Sequence, residues 1–154
     1  MAPRRVFRSR RSLGILTERV GDSFSWQFGF PVGKSPVLEV HIDGHVDHET
    51  FRDRYGPDLL AEVDKHVRVG LLVNGLSMSG FDVAVPKEHA QLLNGAGERI
   101  HSVALVTQST VARFGVAAAA MAISKPLRAF ESRAEALDWL DGHHESSRRG
   151  WRIR

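Results

Sequence analysis

The alternation of apolar and polar positions divides the chain into an opening run of short strands and then strands and helices in turn. Within Leu13 to Phe30, Trp26, Phe28 and Phe30 alternate with Gln27 and Gly29, the period of a half-buried strand. Gly21-Asp22 offers a tight turn, so residues 13–30 predict a β-hairpin, closed by the turn-rich stretch Pro31–Pro36. The cleanest strand follows. Leu38, Val40, Ile42, Gly44 and Val46 fall on one face, and Glu39, His41, Asp43, His45 and Asp47 fall on the other. Phe51, Tyr55, Leu59 and Val63 then recur every four residues, a helical stripe. Gly56-Pro57 interrupts it, which predicts one short helical turn and then a helix from Pro57 to about Lys65.

Val67 to Leu76 is a compact apolar run ending in Asn74-Gly75, as expected of a central strand buried on both faces. Ser77, Met78, Ser79 and Gly80 predict a loop leading to a helix that starts near Pro86 and is capped by Gly95 to Gly97. Ser102 to Thr107 predicts another buried strand, Thr110 to Ile123 an alanine-rich helix, and Leu127 to Phe130 a short strand. Ser132-Arg133-Ala134-Glu135 forms a capping box, opening a helix with Ala136, Leu137 and Leu140 on its inner face. Strands alternating with helices imply parallel pairing through right-handed crossovers. The fold class expected is α/β: a mixed, largely parallel central sheet with about four helices, preceded by an N-terminal β-hairpin. One domain is expected over 13–141, flanked by tails at 1–12 and 142–154.

Charge changes the picture at the two ends. Residues 1–12 hold five arginines and residues 146–154 hold four, with no acid in either stretch. The chain's net charge is +3, so the part between them, 13–145, carries −6. The basic character therefore belongs to the ends, which predicts solvated tails or an electrostatic docking element. An acidic body repels phosphate, so nucleic acid is not an expected partner. There is no cysteine, which excludes disulfides, thiolate metal sites and cysteine nucleophiles. With neither a spanning apolar run nor an apolar segment directly behind the N-terminal charges, a cytoplasmic protein is expected.

The element order and two stretches give a family resemblance. VGLLVNGLSMSGF, and SVALVT followed by a helix and PLRAFESRAEALDWL, make residues 37–141 resemble the bacterial STAS (sulfate transporter and anti-sigma-factor antagonist) proteins related to the sporulation anti-sigma-factor antagonist. The resemblance implies helices packed on a mixed or parallel sheet, protein partners, regulation and no catalytic residues or cofactor. It also implies a switch. In the antagonists the loop after the central strand carries a phosphorylatable serine followed by glycine at a helix start, and Ser79-Gly80 takes the matching place, with Ser77 nearby. A phosphate there would be favoured by free helix amides and the macrodipole. The family's Asp-Ser-Ser-Gly stands here as Ser-Met-Ser-Gly.

Candidate chemistry beyond the resemblance is sparse. His41, Asp43 and His45 leave one strand face about 7 Å apart, a spacing that zinc can use and that a polar solvent-facing strand also produces. Gly75 to Ser79 lacks the second glycine of a nucleophile elbow, and Gly95-Ala96-Gly97 lacks the spacing of a dinucleotide loop, so no enzyme is expected. Val111 to Ile123 is apolar nearly all round apart from Arg113, so this helix is either buried or faces an apolar partner. In the second case Phe114, Val116, Ala120 and Met121 would make the contact. Arg113, Lys125 and Arg128 would meet anionic lipid head groups. Two functions are thus expected: a non-catalytic protein-interaction module, or an anionic membrane-surface binder using this helix and the arginine tails. A homo-oligomer is a further expectation, because the aromatic hairpin has strand edges that want cover.

Overall fold

The computed structural model describes residues 17–20 and 23–153. The basic tail 1–12 and the turn Gly21-Asp22 lie outside them. Six strands form one sheet in sequence order: β1 (Thr17–Val20), β2 (Phe24–Gly29), β3 (Val37–Val46), β4 (Val69–Phe81), β5 (Ile100–Val106) and β6 (Leu127–Phe130). β1, β2 and β3 pair antiparallel, and β3 to β6 pair parallel. This is the expected α/β class, with the expected hairpin at its front edge. Among the described residues no helix is long and apolar enough to cross a membrane.

One face of the sheet carries the larger core. The inward set of β3 meets Trp26 and Phe28 from β2 and Leu71 and Val73 from β4. α1 (His48–Thr50), α2 (Gly56–Val63), α3 (Val85–Gly95) and α4 (Thr110–Ala120) occupy this side. Between α1 and α2 the expected interruption is instead a π-helical segment, Phe51–Tyr55, so the helix runs through without a break. Proline at the start of α2 lacks an amide and crowds the carbonyl four residues back. The wider π turn accommodates both, with the Gly56 amide bonding Phe51 O.

The hairpin's aromatic face is covered within the chain, while β1 remains an edge strand of the sheet. Trp26 stands edge-on to Tyr55 at 5.6 Å, and its Nε1 donates to Asp58 Oδ2 at 2.7 Å. Gly44 makes the antiparallel pairing with β2 close enough. Its φ is +104°, and a Cβ there would sit 2.5 Å from Ser23 O.

The opposite face is covered by α5 (Arg133–Ile153), with Ala136 and Leu140 against Leu72, Ala104 and Phe130. Ser132 Oγ accepts from the Glu135 amide, as the capping box predicts. The helix does not end at Gly142, so the expected tail from 142 onward is helical as far as Ile153. A glycine inside a helix costs about 1 kcal/mol, and ring contacts on either side of it offset that. Trp139 meets His143 at 4.3 Å, and His144 meets His101 of β5 at 5.2 Å.

Two histidines give the fold a pH dependence. Burial lowers the His89 imidazole to about 4, and burial lowers His101 to about 4, with His144, Arg68 and His143 adding to the shift. Both bind protons more weakly when folded than at their ordinary value of 6.5. Unfolded chain therefore takes up more protons between the two values, and stability falls as pH drops from about 6.5 towards about 4. Urea midpoints taken across that window should decline, and His101→Gln should make the decline shallower; an unchanged slope would contradict the assignment.

Candidate functional site

α4 is built to start cleanly and pack loosely. Ser109 caps it, its Oγ accepting from the Ala112 amide at 3.1 Å. The inward positions Ala112, Gly115, Val116 and Ala119 are small, and only Ala112 among the helix residues is buried. Outward, Val111, Phe114 and Met121 stand 68%, 71% and 90% exposed. Of the four apolar contacts expected, Val116 thus faces in, while Phe114, Ala120 and Met121 face solvent. The helix is neither a core element nor covered, because alanines give the sheet little to hold.

Beneath α4 lies an apolar cleft that opens to solvent. Ile42, Val73, Val103 and Leu105 floor it from the sheet. Phe51, Tyr55, Val85, Pro86 and His89 wall it from the π segment and α3, and Met78 and Phe81 reach it from β4. Tyr55 Oη and His89 Nε2 are sealed from solvent and have no hydrogen-bond partner. Burial pushes the Tyr55 phenol up and the His89 imidazole down to about 4, so both are neutral. The sequence signalled Tyr55 only as one residue of a helical stripe. For His89 it gave no signal, since a histidine in a mixed helix has no distinguishing spacing.

The segment Ser77–Gly80 is strand and not loop. β4 runs on to Phe81, pairing with β3 past the end of β5. Period two fails there because β4 carries extra residues, at 75–76 and again at Ser79. Asn74 stabilises the first bulge. Its Oδ1 accepts from the Leu76 amide at 3.2 Å, and its Nδ2 donates to Glu39 Oε2 at 3.0 Å. Ser77 and Ser79 are exposed. α3 begins only at Val85, so Ser79 is not at a helix start and the free amides expected to hold a phosphate are elsewhere.

The histidine face of β3 does not gather. His41 Nε2 lies 3.3 Å from Ser77 Oγ, and His45 Nε2 lies 2.8 Å from Asp82 Oδ1. Hydrogen bonds from His45 and from the His48 amide hold the Asp82 carboxyl below its usual range. Asp43 sits in backbone register with Ser25 and Ser77. Among the described residues no three His, Cys, Asp or Glu side chains converge as they would on a metal ion. The twist and bulges of β3–β4 turn alternate residues to different neighbours.

A family model described as SpoIIAA-like matches residues 37–141. The chain belongs to the SpoIIAA-like family. No curated protein matches it. Among solved structures it is similar to an uncharacterised protein with a SpoIIAA-like fold from Shewanella loihica, at 18% identity and a TM-score of 0.60 over 79% of this chain and 98% of that one. It is also similar to an anti-sigma factor antagonist from Mycobacterium paratuberculosis, at 15% identity and a TM-score of 0.51 over 79% and 97%. At these identities the likeness is one of fold.

In this SpoIIAA-like chain the cations expected to meet lipid head groups are engaged internally. Arg113 pairs with Glu131, and the Arg128 guanidinium lies 5.2 Å over the Phe130 ring. Lys125 Nζ donates to Leu93 O at 2.7 Å and Gly97 O at 2.6 Å, closing the C-terminal end of α3, where Gly97 takes a φ of +64°. Burial lowers the Lys125 ammonium, and Arg68 adds to the shift. Lys125→Met should therefore destabilise the fold by about 1–3 kcal/mol, since two carbonyls lose a charged donor. Equilibrium urea unfolding reads this directly, and a loss near zero would mean the contact is not made in solution.

Proposed function

We propose that this SpoIIAA-like domain is a non-catalytic regulatory module that binds a protein partner through the outer face of α4. The observation that carries the reading is the stripe Val111, Phe114 and Met121, exposed along α4 and its C-terminal end beside an Arg113 already paired with Glu131. Large apolar side chains held together in water favour an apolar contact surface of protein type. The likeness in fold to an anti-sigma factor antagonist supports a protein partner. Arg113 is paired with Glu131 and Lys125 is turned onto main-chain carbonyls, which weakens the case for an anionic membrane on this side. The helix-start argument for a switch at Ser79 does not carry over to the strand, so switching is not part of the reading.

The test is photo-crosslinking in the source cell, with benzoylphenylalanine at position 114. A discrete protein adduct is expected, weakened on the order of tenfold by Met121→Asp, the size of effect that losing a buried contact residue produces. The same change at Val32, 96% exposed in the β2–β3 connection, should leave it intact. Equal loss from both substitutions, or no adduct, would count against the reading. Adsorption to neutral phosphatidylcholine vesicles that Met121→Asp abolishes, without an adduct, would replace it with a membrane-surface reading.

A further inference from the structure

Taking the outer face of α4 as a protein-binding surface, we propose that its partner is a second copy of this chain. The two α4 helices pack antiparallel about a two-fold axis at the level of Val116. Side-chain sizes along the exposed stripe are self-complementary in that arrangement. Val111, Phe114, Ala118 and Met121 are spaced by three, four and three residues, the seam of a helix that packs on another helix. The spacing is the same in either direction. Reversal about Val116 sets Phe114 of one copy opposite Ala118 of the other, and Val111 opposite Met121. The largest residue of the stripe thus meets the smallest, twice over, and a branched side chain meets a flexible one. An isologous interface requires a patch that complements itself in this way.

The stripe also leaves room for close approach. Ala117 and Ala118 are exposed near its centre. With no atom beyond Cβ there, two helix axes can come to about 8 Å, the short end of the usual range.

Charge favours the antiparallel arrangement. α4 has no acidic residue in its first turn and no basic residue in its last, so its own side chains compensate neither end of its dipole. Antiparallel packing puts each N-terminal end beside the C-terminal end of the other copy. Arg113 then comes opposite Ala119 of the other copy, in the last turn, where a cation is favoured. Arg113 is the one ionisable residue of the helix and is paired with Glu131, so two copies bring no cluster of like charges together. Three turns of helix make a small contact, below the roughly 1,200 Å² at which stable interfaces begin. The dimer is therefore weak, with a Kd on the order of 10–100 μM.

The experiment is sedimentation velocity of the purified full chain across that concentration range, where a monomer–dimer equilibrium is expected. Phe114→Ala leaves a void opposite Ala118, and Ala118→Phe sets ring against ring. Each should weaken the dimer on the order of tenfold, and the two together should restore it, because large again meets small. Both positions are exposed, so neither change disturbs the core. The chain has no cysteine, so single cysteines report the register. At about 1.5 Å per residue, Ala117 lies about 3 Å along the axis from its copy, and Ala122 about 18 Å. Ala117→Cys should form a disulfide-linked dimer on oxidation, and Ala122→Cys should not. A chain that stays monomeric at about 500 μM, no rescue in the double variant, or equal cross-linking at both cysteines would each overturn the proposal. If the purified chain is monomeric while position 114 captures a different protein in the cell, this proposal falls and the reading of α4 stands. If position 114 captures nothing, both fall.

Discussion

A strand–helix–strand connection between parallel neighbours crosses right-handed. With β3, β4, β5 and β6 laid down in sequence order, that handedness sends every intervening helix to the same side of the sheet. α1–α2, α3 and α4 must therefore share one face, and α5, which joins no further strand, is left to cover the other. The shared face is crowded at the α1–α2 end, where Trp26 of β2 meets Tyr55 edge-on and Phe51 stacks on Tyr55, and thin at the α4 end. The cleft lies where that crowding gives way to alanine. Its position follows from topology, and its emptiness from the choice of small residues on one helix.

β4 serves both sides of this arrangement. Its first half is the buried centre of the sheet, and its second half outruns β5 and supplies Met78 and Phe81 to the cleft. The change of role occurs at Asn74, which satisfies the amide freed by the bulge while holding Glu39. Glu39 in turn receives the Arg133 guanidinium at the start of α5, at 2.7 Å. One carboxylate thus links the strand irregularity to the helix on the far face. Burying these polar groups is tolerable because each has a partner.

Most of the fold could be read from the chain because its signals were periodic. The alternation in β3, the four-residue stripe through Phe51 and Tyr55, and the Ser132 capping box all became the elements they predict. Sequence reasoning failed where a local rule was broken for a non-local reason. Ser77–Gly80 looks like a loop because bulges abolish its period, yet pairing with β3 keeps it strand. Gly142 looks like a stop, yet His144 finds a ring on β5. α4 was ambiguous in sequence, since an alanine-rich helix suits a tight core and a vacant one equally. The cleft's two polar atoms come from different helical segments, and no spacing rule connects Tyr55 to His89.

The family match begins at residue 37, after β2. In this chain the boundary falls inside a continuous core. Trp26 and Phe24 lie against the ring of Tyr55, and Asp58 of α2 receives the indole proton. Removing the hairpin would strip one side of the tyrosine whose other side walls the cleft. The larger core therefore starts no later than β2, and what looks like an appended hairpin is one wall of the interior.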